Sequence, residues 1–177
     1  MSYYRELKDF ILEIKGDFFL SPRDAWFLKF LEEEGYPLPV VKEGIKRFFL
    51  YYPPEKRTKL PLFMSFEEIK KKRQRAVKKT APDWKEKFYQ RLEVAKRFLG
   101  EELTYPEPKD QAQAEEILIS LENEIAQRLY DALSKEEKIS LMKKFSVFKE
   151  NKELLKAMVK RELFKRVGLK GLSLFLD

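Results

Sequence analysis

The 177-residue chain contains no histidine and no cysteine. Without cysteine it has no disulfide, no thiolate nucleophile and no zinc–thiolate site. Without histidine it lacks the usual general base near neutral pH and the commonest transition-metal ligand. Ser-His-Asp relays, HExxH zinc sites and Glu-x-x-His di-iron bundles are therefore excluded, and no metal or cofactor is expected. Only carboxylate or lysine chemistry is left to an enzyme. The adjacent acids Glu67-Glu68, Glu101-Glu102 and Glu115-Glu116 qualify by type, but acids at helix starts are better explained by the helix macrodipole. The chain is read as a non-enzyme. No run of about 18 apolar residues is present to span a bilayer. The N-terminus "MSYYRELKDF" is charged within its first ten residues, which argues against a secretory signal. The expectation is a cytoplasmic protein with no membrane partner. Asparagine is nearly absent while Lys, Arg, Glu and Asp make up 38% of the chain, a composition like that of thermophile proteins with surface ion-pair networks.

What is present is helical punctuation, with no long alternating segment that would read as a strand. Ser2 can cap a first helix with Tyr3, Leu7, Phe10, Ile11 and Ile14 on one face and Gly16 as its stop. "SPRD" supplies an N-cap at Ser21, Pro22 at the first helical position and Asp24 to close a capping box. That helix runs through Trp26, Phe27, Phe30 and Leu31 to Gly35. Pro39 begins a third with Val40, Val41, Ile45, Phe48 and Phe49, ended by "YYPP". Ser65 is read as a further capping box, "SFEE", opening a lysine-rich helix. Trp84, Phe88, Leu92, Ala95 and Leu99 mark the next helix, with Gly100 as its stop. The longest is predicted over roughly 111–133. Ser134 caps a helix holding Ile139, Met142 and Phe145, and a last one carries Leu154, Leu155, Met158, Val159 and Leu163 and stops near Gly168. About seven helices joined by short turns predict an all-α fold. Its expected parts are an N-terminal helical hairpin unit (1–52), a connector (53–64), a basic helix with a C-terminal helical bundle (65–168) and an extended apolar tail (169–177). The N-terminal unit is expected on or next to the bundle.

The formal charge of +7 is not spread evenly. Residues 61–100 hold 12 basic and 5 acidic side chains, against 11 and 10 in residues 1–60 and 14 and 15 in residues 101–177. Lys70, Lys71, Lys72, Arg73, Arg75, Lys78 and Lys79 fall on one predicted helix, 66–79. Its apolar stripe is thin, Phe66, Ile69, Ala76 and Val77 interrupted by Arg73, so it is expected to cover little core and to show cations around most of its circumference. Such a surface suits phosphate backbone of DNA or RNA, because neutralised phosphates release counterions. Trp84, Phe88 and Tyr89 lie just downstream and could stack on unpaired bases. The alternative is a solvated helix whose lysines pair with acids elsewhere and whose aromatic neighbours are core.

The segment "FFLSPRDAWFLKFLEEEGYPLPVVKEGIKRF" resembles a helical pair in DnaD-type domains of bacterial replication-initiation proteins. Leu20-Ser21-Pro22, Phe27, Leu31, Gly35, Val41 and Gly44-Ile45 carry the likeness. It implies a helical domain that contributes to DNA binding and primosome assembly. Uncharacterised bacterial helical proteins carry similar segments. The tail "GLSLF", 171–175, is similar to the peptide by which bacterial polymerases and repair proteins bind the DNA sliding clamp, usually Gln-Leu-Ser/Asp-Leu-Phe. On that likeness Leu172 enters one apolar subsite, Leu174 and Phe175 fill another, Ser173 fits the pattern, and Gly171 stands where glutamine is usual. Together these features lead to the expectation of a non-enzymatic, DNA-associated accessory protein of replication or repair, with a replication protein such as the clamp as partner. The alternative is a helical interaction or scaffold protein with no nucleic-acid role, its tail packed as a structural strap that buries its own Leu169, Leu172, Leu174 and Leu176.

Overall fold

A computed structural model of the chain describes residues 2–76, 82–174 and 176, apart from the side chains of residues 74–76. The described residues are helical with no strand. The helices are α1 (Tyr3–Lys15), α2 (Pro22–Glu33), α3 (Leu38–Leu50), α4 (Pro54–Arg57), α5 (Phe66–Ala76), α6 (Trp84–Leu99), α7 (Gln111–Asp131), α8 (Lys135–Lys144) and α9 (Lys152–Arg166). None is long and apolar enough to cross a membrane.

Most boundaries follow local chemistry. Ser2 accepts from the Arg5 amide at the start of α1, and Gly16 ends it at φ 81°, a left-handed conformation that costs glycine least. Ser21 and Asp24 form the full capping box of α2, and Ser134 with Glu137 forms that of α8. Ser65 departs from expectation. A 3-10 turn (Leu62–Ser65) leads directly into α5, and the Ser65 hydroxyl donates to the Leu62 carbonyl at 2.7 Å instead of capping. The chain enters α5 already helical, so no N-cap conformation forms. The core residues here are Leu141 of α8 and Phe145, which caps its C-terminus, whereas Ile139 is 59% exposed and Met142 is also exposed. Leu141 and Phe145 are four residues apart and share a face, which turns Ile139 to the opposite side at 100° per residue.

The chain forms two compact units, residues 1–76 with 147–155, and residues 77–146 with 156–177. The connector 53–64 is therefore not a boundary between compact units, because α5 belongs with the N-terminal helices. In the first unit the Phe66 ring makes edge contacts with Phe27, Phe30 and Tyr36 at centroid distances of 5.9–6.3 Å. Gly44 of α3 lies against Ile69 of α5 so closely that a Cβ there would stand 2.7 Å from the Ile69 Cα. The Tyr3 hydroxyl donates to the Tyr36 carbonyl at 3.0 Å, and burial pushes both phenols above their ordinary range.

The second unit has its own core, built from Trp84, Phe88, Leu92 and Ala95 of α6, with Ala114, Leu118, Leu121 and Ile125 of α7. Phe164 of α9 joins them, as do Leu169, Leu172 and Leu174 beyond it.

Candidate functional site

Three regions could carry contacts: the lysine-rich helix, the tail, and the turn between α1 and α2. The expectation that α5 covers little core is corrected by the structure. Phe66 and Ile69 are buried at the centre of the first unit. Two apolar residues suffice because Gly44 lets the α3 and α5 backbones approach closely. The described cations of the helix, Lys70 to Arg73, each also have a partner. The Lys70 amine donates to Glu153 at 2.7 Å, Lys71 lies 3.5 Å from Glu68 and Lys72 3.8 Å from Glu43. Arg73 donates to the Glu34 carbonyl at 3.1 Å and stacks over the Tyr36 ring at 4.2 Å.

Burial opposes the charged form of Lys70, but the hydrogen bond and charge of Glu153 outweigh it and hold the amine above the usual lysine range. Burial and a hydrogen bond with Glu153 lift the Glu67 carboxyl. This part of α5 is thus largely charge-balanced. The Arg75 side chain, Lys78 and Lys79 lie outside the described residues.

The aromatic residues downstream divide between core and surface. Trp84 and Phe88 are buried in the second unit. Tyr89 is exposed, and its hydroxyl donates to Glu107 at 3.1 Å, which raises its pKa above the ordinary value.

The tail folds back into the second unit. Leu172 is fully buried, and Leu169, Ser173 and Leu174 are buried with it, while Phe175 lies outside the described residues. The anchor is Glu115, read from sequence only as half of an adjacent acid pair. One of its oxygens accepts from the Ser173 hydroxyl at 2.5 Å and the other from the Leu174 amide at 2.8 Å. Arg161 donates to the Lys170 carbonyl, and Arg91 to the Leu176 carbonyl at 2.5 Å. Gly171 is buried at φ 134°, and a Cβ there would come 2.7 Å from the Leu176 side chain. The position where clamp-binding peptides carry glutamine is here held by a backbone and packing requirement for glycine.

No helical pattern marks the third region, the turn between α1 and α2. Between Gly16 and the Ser21 cap, Phe18 is 97% and Phe19 74% exposed. They border a cleft of about 400 Å³ whose other walls come from Lys15, Arg23, Lys59, Leu60 and Pro61. Lys15 is buried, paired with Asp17 at 3.1 Å and set over the Phe49 ring at 5.6 Å. Arg57 bonds the Tyr52 and Ile14 carbonyls at 2.9 and 3.4 Å, tying the ends of α3 and α1 to this side of the unit. The only warning in the sequence was two aromatics in a turn, where no helical period could assign them to a face. Among the described residues no group of three or more acidic side chains is placed to hold a metal ion.

A protein-family profile described as "Uncharacterised protein" matches residues 2–85. An "Uncharacterized protein" of Aquifex aeolicus (strain VF5) is 38% identical over 174 residues, covering 96% of this chain and 98% of the relative. A match of that length takes in both compact units. No solved structure matches the chain.

Proposed function

The chain belongs to the family that these matches define, and we propose that it is a non-enzymatic helical interaction protein whose contact surface lies in the first unit. The observation that carries this reading is the exposure of Phe18 and Phe19 beside a cleft. Burying one phenylalanine side chain is worth about 1.5–3 kcal/mol, so two left in water beside a cleft are available to a partner's surface. Tyr51 is also highly exposed in this unit. The packed tail fits the same reading as an internal strap.

The test is a photo-crosslinking amino acid at position 18 of the full chain in cells, with position 165 as an exposed control. A discrete protein adduct specific to position 18 is expected. Equal labelling at the two positions would count against the proposal.

Nucleic-acid association is the second reading, favoured by the surplus of 12 basic over 5 acidic residues in 61–100. The resemblance of residues 18–48 to DnaD-type helical pairs points the same way. The described ion pairs of α5 weaken it without removing it, because exposed pairs contribute only about 0–1 kcal/mol each and phosphate can displace the carboxylates. Binding of single-stranded or duplex DNA tighter than about 10⁻⁴ M near 50 mM salt, with steep salt dependence, would favour it. Replacing Lys70, Lys71, Lys72 and Arg73 with glutamine would then flatten the salt slope.

A further inference from the structure

From the cleft beside Phe18 and Phe19 we infer a docking site for an acidic peptide segment of a partner protein, one that places an apolar side chain in the cleft and carboxylates on Arg23 and Lys59. This rests on the interaction reading and names the partner's chemistry.

Charge complementarity is the first argument. Within the first unit, Lys15, Lys29, Lys42, Arg47, Lys70, Lys71 and Lys72 each lie within 4.0 Å of a carboxylate. Arg23 and Lys59 have no such carboxylate among the described residues; Arg5, Lys8, Lys46, Lys56 and Arg57 share that lack, but of these cations only Arg23 and Lys59 line the cleft. The Arg23 guanidinium is set over the Phe63 ring at 5.1 Å, and its Nε is buried with no hydrogen-bond acceptor among the described residues. A guanidinium without a carboxylate partner can take an incoming carboxylate in a charge-assisted, two-point contact at its terminal nitrogens. The acids that line the cleft are already engaged: Asp17 pairs with Lys15 at 3.1 Å, and Asp24 accepts from the Ser21 amide at 3.2 Å.

Size and polarity supply the rest. Phe18, Phe19, Leu60 and Pro61 give the cleft apolar walls, and about 400 Å³ admits a leucine- or phenylalanine-sized side chain with surrounding backbone. A small molecule held inside would leave Phe18, at 97% exposure, still in water. Covering it takes a chain that continues beyond the cleft. Two cations in one cleft make a local carboxylate contact, whereas a nucleic-acid strand needs a track of them.

The test is selection of a displayed random peptide library on the immobilised full chain, followed by anisotropy titration of an enriched peptide and of oligo-dT. Enriched peptides should combine Asp or Glu with a neighbouring Leu or Phe. Phe18→Ala with Phe19→Ala should weaken the enriched peptide about tenfold or more, as hot-spot anchors do. Lys59→Gln should weaken it several-fold and lower its salt dependence. All three side chains are exposed, so these variants keep the fold, which circular dichroism checks. No enrichment, enrichment of basic or uncharged peptides, or affinity indifferent to both variants would overturn the proposal. Tighter binding of oligo-dT with the same sensitivity would assign the site to nucleic acid instead. If position 18 crosslinks a protein but no acidic peptide binds, the interaction reading stands and this occupant is wrong. If neither occurs, both fall.

Discussion

Two apolar segments outside the α-helices meet opposite fates, Phe18–Leu20 after α1 and the described part of Leu169–Leu176 after α9. In the first, two phenylalanines stand in water. In the second, Leu169, Leu172 and Leu174 join the core of their unit. Apolar content does not separate the two; provision for the backbone does. An irregular segment can be buried only where its amides and carbonyls find partners. Glu115 meets the Leu174 amide, Arg161 the Lys170 carbonyl and Arg91 the Leu176 carbonyl. Around Phe18 and Phe19 the nearby carboxylates are committed elsewhere, Asp17 to Lys15 and Asp24 to the α2 cap.

Substitutions can break this comparison at either end. The largest effect is expected at Leu172, where truncation to alanine should cost about 2–5 kcal/mol of stability. The two tryptophans fall one to each unit, so Trp84 fluorescence in a Trp26→Phe background reports the tail's unit. A Leu172→Ala midpoint equal to that of the background would show that the tail is not part of this core. Glu115→Ala should cost about 1–3 kcal/mol by removing the acceptor of the buried Leu174 amide and of one Ser173 hydrogen bond. It should also make the tail a target for carboxypeptidase; a tail still protected would deny Glu115 its anchoring role. Gly171→Ala should cost about 1–2 kcal/mol, since alanine at that φ is strained and must displace Leu176. The smallest effect belongs to the other segment. Phe18→Ser and Phe19→Ser should each move the denaturation midpoint by no more than about 0.5 kcal/mol. A larger loss would mean that the turn packs on its own unit in solution, and the contrast with the tail would disappear.

Where a signal lies within a few residues, the sequence was readable. Ser2, Gly16, Ser21 with Asp24, Gly100 and Ser134 begin and end the helices expected of them. Trp84, Phe88, Leu92 and Ala95 form the core face that their spacing predicts. The same reasoning misjudged α5, because its thin stripe gave no sign that Gly44, some twenty-five residues earlier, would admit Ile69 at backbone contact. In α8, spacing alone placed Ile139 inward. Phe18 and Phe19 lie outside any helical period, so nothing local assigns them a face.

That this protein is built from helices, where most of them start and stop, and that histidine- and cysteine-based chemistry is excluded all follow from residue order alone. Caps, glycine stops and 3.6-residue periodicity act over one or two turns, so they are written where they act. The tertiary structure alone decided which charged and apolar groups are satisfied. Glu115 meets Ser173 across 58 residues of chain, and Lys70 meets Glu153 across 83. No local pattern records such a partner. The difference between a buried strap and an exposed aromatic turn is made by those distant partners.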